Sequence, residues 1–199
     1  METVFRLVRE GEGEPAARAT SADLADAAEL GAEQGARRLW RRRWLRTLAA
    51  EALDLHPDII AIERLPHGGV LIAGPRALYA SVSGRGAWTA LALCENPVGV
   101  DVELYPPERE PPFDLLQPLE QDVILSDAEP RRLFLRFWTA REAYLKAQGR
   151  GLDVMPDKVR AARRGQEVAL IEEGHDIAFA TITERDDAIA AIVELPAGD

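Results

Sequence analysis

Two short stretches of the sequence combine residue types that can bind a metal ion and move a proton. Asp101 and Glu103 alternate within an apolar run that predicts a strand, so both side chains face one side of it. Glu142 lies four residues before Lys146 in a run with apolar residues at helical spacing, so this pair shares a helix face. Three carboxylates form an all-oxygen ligand set that suits Mg²⁺. The simpler alternative is that Glu142 and Lys146 form an exposed ion pair and nothing more.

The helix that carries Glu142 must hold it in place. Apolar side chains recur at three- and four-residue spacing from Leu133 to Leu145, which predicts a helix with one broad buried face. Gly149 and Gly151 follow, and glycine commonly ends a helix in a left-handed conformation. The carboxylate is therefore expected beside bulky packing residues near the end of a helix.

A second helix is predicted by the arginine-rich run 36–48, in which six arginines fall within ten residues. Trp40, Trp44 and Leu48 form a stripe that packs inward, and the arginines occupy the other faces. One interpretation is an ordinary amphipathic helix with a solvated basic side. The other is a polyanion site, since the planar arginine fork suits phosphate.

The chain divides into two halves that resemble each other. Four prolines between Tyr105 and Pro112 cannot continue a sheet or helix, so we predict an N-terminal half 1–104, a linker 105–118 and a C-terminal half 119–199. Residues 79–93 align without gaps on 179–193, with matching aromatic, alanine, hydroxyl and apolar positions. This indicates a duplicated α+β unit with a site between the copies. The alternative is two unrelated amphipathic hairpins.

Composition narrows the class of protein. The chain has 199 residues, 47% of them hydrophobic, which is ample for a packed core. It contains no apolar run long enough to span a membrane, and its first residues lack the layout of a secretory signal. Cys94 is the single cysteine, so a reducing cytoplasm is expected. A formal net charge of −10 argues against a general nucleic-acid binder.

The two acidic stretches carry a family resemblance. Gly99-Val100-Asp101-Val102-Glu103, followed by Trp138-Thr139-Ala140-Arg141-Glu142-Ala143-Tyr144-Leu145-Lys146, resembles the signature pair of the 4'-phosphopantetheinyl transferases, G-[IV]-D-[IVL]-E and W-x-x-K-E-A-x-x-K. The order and the gap between the motifs agree with that family. The chain length resembles the long, pseudo-dimeric (Sfp-type) branch. The resemblance thus implies a duplicated helix-plus-antiparallel-sheet fold with a pseudo-twofold axis, acting as a monomer.

The resemblance also implies a reaction and roles for particular residues. The phosphopantetheine arm of coenzyme A would pass to a serine of an acyl or peptidyl carrier protein, with Mg²⁺ as cofactor. Asp101, Glu103 and Glu142 would bind the metal, and Glu142 and Lys146 would be catalytic. The coenzyme contacts implied by the family motifs are Arg42, Arg46, Ser83, Arg85, Arg141 and Lys146.

Three departures from the family pattern concern the coenzyme site. Gly84 stands where the family has a histidine that meets the 3'-phosphate, and Arg85 could supply that charge from the next position. His67-Gly68-Gly69 replaces a G-K-P segment, and Arg141 replaces a lysine. Two alternatives therefore stay open. One is a repurposed member of the fold with another enzymatic or carrier-binding role, and the other is a nucleic-acid or scaffold module that uses the arginine helix.

Overall fold

The computed structural model describes residues 2–65, 69–107, 112–113, 116–150 and 159–197. The first part of the chain forms an antiparallel sheet of five strands in the order β1-β5-β4-β3-β2, accompanied by two helices. Its elements are β1 (Val4–Arg9), α1 (Ser21–Ala28), α2 (Ala32–Leu53), a short 3₁₀ helix (Pro57–Ile59), β2 (Ala61–Arg64), β3 (Val70–Ala73), β4 (Leu78–Arg85) and β5 (Trp88–Cys94).

The second part of the chain repeats this plan. Its five antiparallel strands have the order β6-β10-β9-β8-β7, and a short and a long helix again follow the first strand. Its elements are β6 (Val98–Leu104), α3 (Pro118–Leu125), α4 (Pro130–Ala147), β7 (Arg160–Arg164), β8 (Glu167–Glu172), β9 (His175–Arg185) and β10 (Ala188–Glu194).

The predicted duplication is confirmed by the register of the two hairpins. Gly84 pairs with Thr89 in the first sheet, and Glu184 pairs with Ile189 in the second. Both hairpins turn through a residue with positive φ, Gly86 at 55° and Asp186 at 51°. The gap-free alignment of 79–93 on 179–193 therefore describes equivalent positions in two copies of one α+β unit.

The junction between the copies lies earlier than the proline-rich segment. β6 belongs to the predicted N-terminal half 1–104, yet it pairs along its whole length with β10 of the second sheet. The chain therefore passes between the sheets at Asn96-Pro97, and the predicted linker 105–118 falls inside the second copy, between β6 and α3. Prolines alone indicated a break, but they break elements within a copy as readily as between copies. Residues 108–111 and 114–115 lie outside the described residues.

Three apolar clusters hold the layers together. Helix α2 packs on the first sheet through residues such as Leu45 and Leu48, and α4 packs on the second through residues such as Phe137 and Ala140. The third cluster lies between the sheets and includes Trp88 of β5 with Val100 and Val102 of β6. Because alternate residues of β6 are buried against the first sheet, the remaining ones must face α4. No helix in the described part of the chain is long and apolar enough to cross a membrane.

Candidate active site

Close packing of α4 on β6 brings the two motifs together. A Cβ added at Gly99 would overlap the carbonyl oxygen of Ala143 and lie 2.5 Å from the amide nitrogen of Ala147. Only glycine therefore lets the helix backbone approach the strand this closely. Gly99 shares a strand face with Asp101 and Glu103, so both carboxylates are directed toward the helix that carries Glu142 and Lys146.

Asp101 is the centre of a hydrogen-bonded cluster. The residue is 5% exposed, and its Oδ1 accepts from Lys146 Nζ at 2.7 Å and from Ser83 Oγ at 2.8 Å. Lys146 Nζ also donates to Ser83 Oγ at 3.1 Å. The other carboxylate oxygen, Oδ2, is buried without a hydrogen-bond partner among the described residues. A buried, unpartnered carboxylate oxygen is costly to keep, so it would be stabilised by a bound cation.

Glu142 is buried close to other carboxylates, and its pKa is raised. It is 9% exposed, and burial together with the nearby charge of Asp101 raises its pKa to about 7. Glu103 adds to the rise, while the ammonium of Lys146 opposes it. A carboxyl with such a pKa is present in both protonation states near neutral pH, as a group that exchanges protons should be.

The third predicted metal ligand is engaged by an arginine. Glu103 Oε2 lies 3.1 Å from Arg85 Nε, so the two predicted site residues form an ion pair with each other. In this arrangement, no group of three carboxylate, histidine or cysteine side chains within the described ranges is placed to hold a metal ion. The donors nevertheless fit Mg²⁺ in chemistry, because all are carboxylate oxygens and Asp101 Oδ2 lacks a partner. The ammonium of Lys146 pairs with Asp101 and the guanidinium of Arg85 pairs with Glu103, where a metal cation would otherwise lie.

Arg141 is placed as a structural residue. Its guanidinium forms an ion pair with Glu120 of α3, and its Nε donates to the carbonyl of Val159 at 3.1 Å. Both side chains of the ion pair are buried. This pairing argues against the predicted phosphate contact, because a ligand would have to compete with a buried carboxylate.

Arg46 has the equivalent place in the first copy. Its guanidinium binds Asp23 of α1 at 3.0 Å and donates to the carbonyl of Ile60. Asp23 and Glu120 are both third residues of the short helices, and Ile60 and Val159 both precede strands that begin at the next residue. The duplicated clamp holds the long helix to the short one in each copy, which argues against a coenzyme contact for Arg46.

Arg42 lies on the same side of α2 as Arg46. Its guanidinium is half-buried, and burial lowers its pKa, while the charges of Asp23 and Asp26 act in the opposite direction. Its neighbours are thus the acidic residues of α1. Its role as a phosphate contact stays a prediction.

The arginine that does reach the predicted coenzyme segment is Arg41. A Cβ added at Gly84 would lie 2.5 Å from Arg41 Nε and overlap the rest of the guanidinium. Arg41 therefore occupies the space that a side chain at position 84 would fill. Sequence reasoning missed this residue because Arg41, Arg42 and Arg43 are consecutive, and a helix points each in a different direction. The glycine in place of a side chain was the signal that something else fills that space.

The fold and the site together define a class: a duplicated α+β protein with carboxylates and a lysine gathered where the two copies meet. Residues 97–193 match the family model described as the 4'-phosphopantetheinyl transferase superfamily. This region contains Asp101, Glu142 and Lys146. Through it, over just under half of its length, the chain is similar to the 4'-phosphopantetheinyl transferase superfamily. The long branch of that superfamily stays a prediction.

Two curated relatives agree with this similarity. A 4'-phosphopantetheinyl transferase of Bacillus subtilis is 24% identical over 151 residues, which are 72% of this chain and 66% of the relative. The 4'-phosphopantetheinyl transferase HetI of Nostoc sp. is 28% identical over 111 residues, 51% of this chain and 46% of the relative. The matched regions thus span less than two thirds of either relative.

Proposed function

We propose that this protein transfers the 4'-phosphopantetheine arm of coenzyme A to a serine of an acyl or peptidyl carrier protein, in a magnesium-dependent reaction. The observation that carries the proposal is the cluster of Asp101, Glu142 and Lys146 inside the superfamily match. Both motifs contribute to it from separate elements, β6 and α4.

The bond changes follow from the chemistry of a pyrophosphate. The serine oxygen of the carrier attacks the phosphorus that bears the pantetheine arm, and a new P–O bond forms. The bond between that phosphorus and the bridging oxygen breaks, and its electron pair leaves with adenosine 3',5'-bisphosphate. Glu142 accepts the serine proton, directly or through water. In the metal-free protein, burial and the charge of Asp101 raise its pKa to about 7.

Lys146 supplies a positive charge at the reacting group. In the metal-free protein its ammonium is held by Asp101 and Ser83, which keeps it at the site. A cation held near the developing negative charge stabilises the transition state. Because the serine belongs to the carrier, the chain itself need not supply a nucleophile.

Magnesium would be held by Asp101, Glu103 and Glu142. When bound, it supplies charge neutralisation on the pyrophosphate. Lys146 and Arg85 pair with Asp101 and Glu103 in the metal-free protein. With a divalent ion on those carboxylates, both side chains would be available to contact phosphate oxygens, which is the role the sequence predicts for them. Ser83 would remain beside Lys146.

The experiment that tests the proposal uses apo-carrier proteins of fatty-acid, polyketide and peptide-synthase type. Each is incubated with the protein, coenzyme A and Mg²⁺, and the intact carrier mass is measured. We expect at least one carrier to gain one phosphopantetheine group and none to gain it in EDTA. If no carrier is modified and coenzyme A does not bind, the transferase proposal fails, and the repurposed-fold alternative takes its place.

A further inference from the structure

A cavity of about 220 Å³ lies in the second copy, between α4 and the ends of β8 and β9. Its floor is apolar and includes Leu133 and Phe137 of α4 with Val168 of β8, all buried residues of the second copy's core. None of the described residues that line it belongs to the cluster around Asp101, so the cavity is distinct from the candidate active site. Pockets for drug-sized ligands have volumes of roughly 300–1,000 Å³, so a ligand of this cavity must be small.

Two arginines line the polar side of the cavity. Arg136 of α4 donates from Nε to Glu184, and its two terminal nitrogens have no partner among the described residues. Arg163 of β7 donates from Nη2 to Asp127 at 3.0 Å, and its Nε and Nη1 have no partner in the same ranges. Each guanidinium is therefore oriented by one carboxylate and still has N–H groups to offer a ligand.

Strand alternation decides which of the other charged side chains face the cavity. Arg163 and Val168 are directly paired across β7 and β8, so they share the face of the sheet that packs on α4. Glu167 adjoins Val168 and is therefore directed to the opposite face. The carboxylate on the cavity side is Glu184, and arginines of α4 already bind both of its oxygens. The charged groups left to bind a ligand are thus N–H donors, so the ligand must supply an anionic acceptor.

The first copy has different chemistry at the equivalent place. Counted from the clamp arginine of each copy, Leu133 and Phe137 are equivalent to Arg38 and Arg42 of α2. The second copy thus has apolar side chains where the first has guanidinium groups. A cavity with an apolar floor and a few polar groups at one side fits a ligand with an apolar body and one polar end.

We propose that this cavity is a binding site for a small apolar monocarboxylate, with an aryl or a short alkyl body. The body packs on Leu133, Phe137 and Val168, and the carboxylate accepts hydrogen bonds from Arg136 and Arg163. One negative charge is favoured over two, because the carboxylate of Glu184 lies beside the donors and repels anions. The site goes beyond the proposed transferase reaction and does not depend on it.

The test is an NMR titration of the full chain, labelled at its amides, with phenylacetate and with hexanoate. Two further probes each lack one feature of phenylacetate: phenylacetamide has no charge, and acetate has no aryl body. We expect phenylacetate to shift the amide signals of Gly165 and Val168 and to bind roughly tenfold or more tightly than phenylacetamide and acetate. Equal binding of phenylacetamide overturns the inference, and so does the absence of shifts with both carboxylates at millimolar concentration.

Arg163→Ala should weaken the binding of phenylacetate roughly tenfold or more. The variant should fold, because the exposed ion pair with Asp127 contributes little to stability. Arg164→Ala is the matched control, since it removes the same charge from the next residue of β7, which faces the other side and pairs with Asp176. It should bind phenylacetate as the wild type does. An Arg163→Ala variant with wild-type affinity, or an equal loss in Arg164→Ala, overturns the inference and leaves the transferase proposal standing.

Discussion

Glu142 should make the metal-free protein less stable as the pH rises. Its ordinary pKa of 4.5 is raised to about 7 in the folded state, chiefly by burial. The folded protein therefore holds this proton more tightly than the unfolded chain, so the stability gained from the neutral form is lost as the pH rises from about 4.5 through about 7. At about 1.36 kcal/mol per pKa unit, the raised pKa lowers the free energy of unfolding by roughly 1 kcal/mol at pH 5 and roughly 3 kcal/mol at pH 8, relative to low pH.

Glu142→Gln should recover this free energy, since the amide keeps the shape of the side chain and never ionises. The assay is urea unfolding in EDTA at about pH 5 and about pH 8, for the wild type and the variant. We expect the variant to be more stable, with a gain about 2 kcal/mol larger at the higher pH. Glu29→Gln, at an exposed position, is the control and should show no such trend. Added Mg²⁺ should stabilise the wild type more than Glu142→Gln. A gain that is equal at both pH values would refute the reasoning.

Three further substitutions test the site and its scaffold. Asp101→Asn should reduce kcat/KM for carrier modification at least about a hundredfold while circular dichroism shows an intact fold. An active variant would show that Asp101 is not a metal ligand. Arg141→Met should leave Glu120 as a buried unpaired carboxylate and lower the free energy of unfolding by about 3–5 kcal/mol. A small change would mean that Arg141 is available to bind a ligand. Gly99→Ala should force α4 away from β6, costing about 1–3 kcal/mol in urea unfolding and most of the activity. A fully active, equally stable Gly99→Ala variant would contradict the close packing.

The carboxylates were predictable because their placement depends on local periodicity. Strand alternation puts Asp101 and Glu103 on one face, and helical spacing puts Glu142 and Lys146 on another. The gap-free alignment of the hairpins likewise identified the repeat, since both hairpins have the same length. That the two faces meet was a consequence of Gly99, whose role depends on the α4 backbone and is invisible in spacing.

The arginines could not be assigned from sequence because their partners are distant along the chain. Arg46 lies 23 residues from Asp23, and Arg141 forms its ion pair with Glu120 on another helix. The local sequence does not distinguish an arginine that contacts a ligand from an arginine in a buried ion pair. The difference is the carboxylate that the fold places opposite the arginine, and periodicity gives no information about that partner.

The duplication itself separates scaffold from function. Where both copies place the same chemistry, as in the two clamps of Arg46 and Arg141, the residues hold each unit together. Where the copies differ, the residue in one of them no longer has this structural role. Asp101 occupies the register position that Arg6 has in the first sheet, since they pair with the equivalent residues Ala191 and Leu91. Gly84 differs from Glu184 in the same way. A chain built from two copies of one unit therefore obtains a single active site through positions whose charge differs between the copies.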